Sequence, residues 1–186
     1  MNKVRVLLID DDEDDFIITK EIFSRINQAD RYELTWIDTF EKGINAVLKR
    51  HYDIYLVDYR LGKYTGVDLV NEAVLSGIKE PIIILTGKGD YKIDEEAMNV
   101  GAADYLVKDK IEPDTLDRSL RYALKQSETL SALKESEHKF KIIFDKAKEP
   151  ILISDYTGKI RDINKAGLNF FGYHIKEMLE TNDRTL

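Results

Sequence analysis

Five short runs of apolar character, separated by longer stretches of helical periodicity, restrict this chain more than any other feature. Residues 4–9, 54–57, 81–85 and 105–107 are apolar without alternation and rich in β-branched or aromatic side chains, as strands buried on both faces are. Residues 32–37 alternate more and read as a further strand. Helix-period segments fall at about 13–27, 40–50, 66–76, 91–100 and from 112 onwards. Strict alternation of this kind predicts a parallel sheet covered by helices, five of each. In open sheets of this class, ligands bind beyond the carboxyl ends of the strands, where the strand order reverses. The residues there are Asp10 and Asp11, Asp58, Thr86 and Lys108, so one edge of the sheet is expected to gather them all.

Composition limits what this edge serves. The 186 residues exceed one typical domain without filling two, and 43% hydrophobic with 34% charged residues describes a chain able to bury a core. There is no cysteine, no secretory leader pattern and no apolar run long enough to span a bilayer, so a cytoplasmic fragment with no membrane partner is expected. A formal net charge of -7 argues against nucleic-acid binding by this fragment, because that binding rests on phosphate neutralisation by Lys and Arg.

The first run ends in Asp10, Asp11, Asp12, Glu13, Asp14 and Asp15. Two carboxylates about 4 Å apart repel by roughly 4 kcal/mol at an effective dielectric of 20, so one of them protonates or a cation joins them. Mg²⁺ suits a site with few carboxylates and room for water and phosphate oxygens. Asp10 and Asp11 therefore read as metal ligands, with Asp58 as a third carboxylate on the same ion. Asp58, between "DIYLV" and "YRLG", stands at a strand end, where a carboxylate can act as nucleophile toward phosphorus. Phosphoryl transfer asks for positioning and charge stabilisation, for which Lys108 supplies a cation and Thr86 a hydroxyl donor. Asp12 to Asp15 are explained by a solvated helix start, since acids favour the positive end of the helix dipole. An EF-hand loop beginning at Asp10 fails because Asp15 stands where glycine is needed and a strand leads in.

The acidic pair closing "VLLIDD", the acceptor in "IYLVDYRLG", the hydroxyl in "IIILTG" and the lysine in "GAADYLVK" together resemble the receiver domain of two-component response regulators, over residues 1–125. The resemblance implies a flavodoxin-like, doubly wound (βα)5 α/β fold of strand order 2-1-3-4-5. It implies Mg²⁺ on Asp10 or Asp11, Asp58 and the main-chain carbonyl of Arg60, and phosphorylation of Asp58 by a histidine kinase or phosphotransfer protein. It makes Thr86 and Tyr105 a switch pair. On this reading the domain is not an enzyme beyond its own phosphorylation and dephosphorylation. Two positions depart from the family pattern. Asp109 follows Lys108 where a proline in a cis bond is common, which leaves the isomer open. Gly62 replaces a usual proline and is expected to free the loop after the third strand. Arg60 and Lys88 flank the cleft entrance.

From Pro113 one long helix is expected, with Leu116, Leu120, Ala123, Ser127 and Leu130 at spacings of four and three. Leu133, Glu137, Phe140 and Phe144 continue after a one-step break, and residues 113–145 read as a coiled-coil connector that pairs two copies of the chain. The alternative is a helix packed on its own domain, which covers only its first half. His138 reads as a surface position on this helix. The stretch "SEHKFKIIFDKAKEPILISDYTGKIRDINKAGLNFFGY" resembles the start of a PAS sensory domain, truncated, over residues 146–186, with Phe170, Phe171 and Tyr173 as core aromatics. Phosphorylation is expected to switch the receiver face and the connector, and so a downstream module. The competing readings keep the fold: an interaction module that is not phosphorylated, or the regulatory part of a hybrid histidine kinase or cyclic-di-GMP enzyme.

Overall fold

The computed structural model describes residues 3–87, 95 and 97–172. The chain divides into two compact units, residues 1–130 and 131–186. In the first, strands β1 (Val4–Ile9), β2 (Tyr32–Ile37), β3 (Ile54–Asp58), β6 (Ile82–Thr86) and β7 (Asp104–Val107) form one parallel sheet in the order β2-β1-β3-β6-β7. Setting aside a two-residue hairpin, β4 (Arg60–Leu61) with β5 (Tyr64–Thr65), this is the expected 2-1-3-4-5 order of the flavodoxin-like fold.

Alternate side chains of the central strands feed two cores. On one face Leu7, Ile9, Tyr55, Val57 and Ile84 pack with α2 (Phe40–Leu48) and α3 (Gly66–Leu75). On the other, Val6, Leu8, Leu56 and Leu85 pack with Phe23 of α1 (Glu13–Ser24) and with Leu116, Leu120 and Ala123 of the long helix Pro113–Lys146. The strands β1, β3 and β6 are buried along most of their length, as continuous apolar runs require. β7 is only half-buried throughout despite its apolar run, because it lies at the sheet edge and has one neighbour.

The expected helix at 91–100 falls largely outside the described residues; Glu95 and residues 97–99 are helical. Lys88 and Tyr173 lie outside them too. The Lys108–Asp109 bond is trans. Asp117 accepts hydrogen bonds from Tyr32 Oη and Arg121 Nε, both at 2.8 Å, and the Ser127 hydroxyl donates to the carbonyl of Lys79 at 2.8 Å.

The second unit holds an antiparallel pair, β8 (Leu152–Ser154) with β9 (Ile160–Ile163), followed by a helix at Lys165–Phe171. The buried Asn164 caps that helix through Gly167 N–H at 2.8 Å and accepts from Ile151 N–H at 2.9 Å. Phe170 and Phe171 are exposed, not the core aromatics expected, and meet edge to face at 5.1 Å. No helix among the described residues is long and apolar enough to cross a membrane.

Candidate functional site

Strand register brings the site together. Ile9 lies beside Val57, so Asp10 follows level with Asp58, the last residue of β3. Asp58 pairs with Leu85, which puts Thr86 one step beyond, and Thr86 pairs with Val107, which puts Lys108 one step beyond that. Asp10, Asp11, Asp15, Asp58, Thr86 and Lys108 accordingly line one cleft. All five strand-end residues singled out in the sequence meet there.

The supports are local. Asp10 N–H donates to the carbonyl of Ile37 at 3.0 Å, and the Trp36 indole N–H donates to the Asp10 carbonyl at 2.8 Å, so strand β2 holds the acidic turn from the side. Asp12 is the N-cap of α1, accepting from Asp14 N–H at 2.9 Å, which starts the helix directly after the acidic pair. At Asp58, the side chain accepts from Arg60 N–H at 2.8 Å. Gly66 is required beside it: a Cβ there would stand 2.5 Å from the Asp58 carbonyl oxygen. The loop after the third strand, which Gly62 is expected to free, forms the β4–β5 hairpin. Gly62 turns the β4–β5 hairpin with φ of 62°, favoured for glycine, and its N–H donates to Asp11 Oδ2 at 3.0 Å. In that hairpin Gly66 N–H goes to the Tyr59 carbonyl and Thr65 N–H to Asp68, so neither is spent on the carbonyl of Arg60.

Lys108 is the centre of charge. Its Nζ lies 2.8 Å from Asp10 Oδ2, 2.6 Å from Asp15 Oδ2 and 2.6 Å from Asp58 Oδ1. Asp15 was assigned in the sequence to a solvated helix start, and the structure corrects this. It lies in the first turn of α1, which turns its carboxylate back over the strand end, and no spacing rule short of that geometry marks it.

One ammonium does not balance the group. Burial pushes Asp10 up to about 6, against the pull of the Lys108 hydrogen bond. Burial also raises Asp58, again opposed by Lys108. Burial works downward on Lys108, yet the bonds to Asp10, Asp15 and Asp58 outweigh it and its pKa rises. Asp10, Asp11 and Asp58 each offer a carboxylate oxygen within 4.8 Å of the others. These are hard oxygen donors on the wall of one cleft, too few to close a cage. That donor set fits Mg²⁺.

Thr86 is buried at the end of β6. Tyr105 is half-buried on β7 and packs against the core on the α2 and α3 face. Arg60 is exposed at the cleft rim.

The family model described as the response regulator receiver domain matches residues 6–121, and one described as a PAS domain matches residues 138–185. The chain is 28% identical over 96 residues to the two-component response regulator PhoP of Pseudomonas aeruginosa, covering 52% of this chain and 42% of that protein. It is 32% identical over 105 residues to the cell cycle response regulator CtrA of Brucella ovis, covering 56% and 44%. The match thus spans less than half the length of these curated relatives. Among solved structures, a CheY-like response regulator receiver domain protein from Methanospirillum hungatei aligns with a TM-score of 0.60 at 23% identity, over 69% of this chain and 98% of that one. A response regulator receiver domain from Clostridium thermocellum aligns at 0.60 and 24%, over 68% and 98%.

Proposed function

The chain belongs to the response regulator receiver family, and on that footing we propose that Asp58 accepts a phosphoryl group from the phosphohistidine of a histidine kinase or phosphotransfer protein. The observation that carries the reading is the grouping of Asp10, Asp11 and Asp58 within 4.8 Å, with Lys108 Nζ 2.6 Å from Asp58. Asp10, Asp11, Asp58 and the carbonyl of Arg60 would hold Mg²⁺. Once bound, the ion offsets the charge of the acids and of the transferred phosphoryl oxygens.

The chain's own residues do the rest. Arg60 N–H holds one oxygen of Asp58, and the other faces Lys108. A P–O bond forms from the Asp58 carboxylate as the P–N bond of the donor breaks; the leaving imidazole keeps the electron pair and takes a proton from solvent. Lys108 moves from the carboxylate to a phosphoryl oxygen, and the Thr86 hydroxyl donates to another. The new charge draws Thr86 toward the acceptor, and Tyr105 turns inward into the space released. The face of β7 and the long helix is thereby biased between two arrangements. Because that helix leads toward the residues matched by the PAS model, the phosphorylation state is passed to that segment and to whatever output the whole protein carries.

Transfer from a phosphorylated histidine kinase, followed on Phos-tag gels, tests the reading. The parent chain shifts in a Mg²⁺-dependent way and Asp58→Asn does not. A chain that never shifts with any donor is instead an interaction module.

A further inference from the structure

Asp15 reaches the cleft but has no part in the proposed transfer. The Lys108 ammonium carries three N–H donors, and three carboxylates engage it: Asp10 at 2.8 Å, Asp15 at 2.6 Å and Asp58 at 2.6 Å. These acids differ in what becomes of them when a phosphoryl group arrives. Asp58 gives its charge to the new bond. Asp10 belongs, with Asp11 and Asp58, to the carboxylate oxygens within 4.8 Å of one another that suit a divalent cation, and a bound cation offsets its charge. Asp15 stands outside that group and keeps its hold on the lysine. The phosphoryl group brings negative charge of its own and needs the same ammonium.

Lys108 does not depend on Asp15 for its place. Its Nζ is already tied to Asp10, whose side chain is 1% exposed and whose other oxygen accepts from Asp12 N–H at 3.0 Å. The Asp15 side chain, at 33% exposed, is the most open of the three. Asp15 is nonetheless fixed in position. Phe16, the next residue, stacks on Trp36 at 4.8 Å with the rings 5° apart, and the Trp36 indole N–H is bonded to the Asp10 carbonyl. The first turn of α1 is thereby pinned to β2, which keeps the Asp15 carboxylate against the ammonium.

On the reading of Asp58 as phosphoryl acceptor, on which this rests, we propose that Asp15 is a positioning residue acting through Lys108: it competes with the phosphoryl group for the ammonium and so weakens the site's hold on that group. Removing the competitor strengthens the hold by about tenfold, the scale of one charge-assisted hydrogen bond. The lysine stays aimed, because Asp10 still holds it.

Beryllofluoride, a tetrahedral stand-in for the phosphoryl group, tests this on the full chain without turnover. In saturating Mg²⁺, fluorine NMR is expected to show Asp15→Asn binding it about tenfold tighter than the parent. Asp15→Glu, which restores the carboxylate, returns toward the parent value. Asp12→Asn is the control for charge alone. Asp12 lines the same cleft but accepts from Asp14 N–H, and asparagine caps a helix as well as aspartate does. Its gain is expected to stay below about twofold, as for a screened charge without a direct bond. Mg²⁺ titration without beryllofluoride gives Asp15→Asn an affinity close to that of the parent, since Asp15 is not among the ligands.

Unchanged or weaker beryllofluoride binding in Asp15→Asn overturns the inference, because Asp15 then does not compete. An equal gain in Asp12→Asn overturns it too, by reducing the effect to general repulsion. So does a large loss of Mg²⁺ affinity in Asp15→Asn, which makes Asp15 a metal ligand. Any of these, with the parent still binding beryllofluoride, leaves the acceptor reading of Asp58 standing. A parent and variants that all fail to bind it reject that reading, and this inference with it.

Discussion

Two ionic groups stand at opposite ends of the same pair of strands, β1 and β3, and they are built on opposite terms. At the amino ends, Arg5 N–H and Nη2 donate to Asp53 at 2.7 and 3.1 Å, while Asp53 N–H donates to the Arg5 carbonyl at 2.9 Å. Charges there match one to one at the surface. Burial pulls Asp53 upward, but the hydrogen bonds from Arg5 outweigh it, and the carboxyl lies below its usual range. At the carboxyl ends, Asp10, Asp15 and Asp58 share one half-buried lysine, and burial pushes Asp10 up to about 6. The first group fastens two strands. The second keeps an unbalanced negative charge in a partly buried cleft, which costs stability and, on the proposed function, favours a cation.

The largest effect is expected from removal of the phosphoryl acceptor. Asp58→Asn should reduce phosphoryl uptake to background while the fold, read by circular dichroism, stays intact. Next in size is Lys108→Met, which leaves three carboxylates without their ammonium; metal-free urea unfolding at pH 7 should show a loss of about 3 kcal/mol. An unchanged midpoint would mean that Lys108 does not balance the group. Mg²⁺ should act in the other direction. At about a hundred times its dissociation constant it should add about 2.7 kcal/mol to the parent, and little to the double variant Asp10→Asn, Asp11→Asn.

A smaller effect separates the two ends by sign. Asp10 has a folded pKa above its unfolded value of 3.8, so the folded state binds the extra proton between about pH 4 and 6. Without Mg²⁺, stability of the parent relative to Asp10→Asn should therefore fall as pH rises through that window, by about 2 kcal/mol. Asp53 is lowered, so its contribution is present above 3.8 and is lost as pH falls through its folded value. Smallest of all, Arg5→Ala should move the urea midpoint only slightly at pH 7, since the pair is exposed to solvent on both sides.

How much could be read beforehand depended on whether a residue's place follows from strand order. Asp10, Asp58, Thr86 and Lys108 follow directly from apolar runs, because in a parallel sheet whatever comes after each strand arrives at one edge. Asp15 does not, since its contact with Lys108 needs the direction in which α1 leaves the turn, and an acid in a first helical turn has an ordinary explanation. The β4–β5 hairpin was missed because two-residue strands have no period to detect, so the bond from Gly62 to Asp11 could not be foreseen. The half-exposure of β7 depends on its being an edge strand, which its own apolar run does not reveal. The exposure of Phe170 and Phe171 likewise depends on packing, not on residue type.

The proposed function requires this cleft to carry phosphorus on one carboxylate. Incubation of the full chain with Mg²⁺ and acetyl phosphate, then borohydride reduction and peptide mass spectrometry, tests it most directly. The expected result is homoserine at position 58, lost when Mg²⁺ is chelated. Reduction product at another carboxylate, or none at all with Mg²⁺ bound, would contradict it.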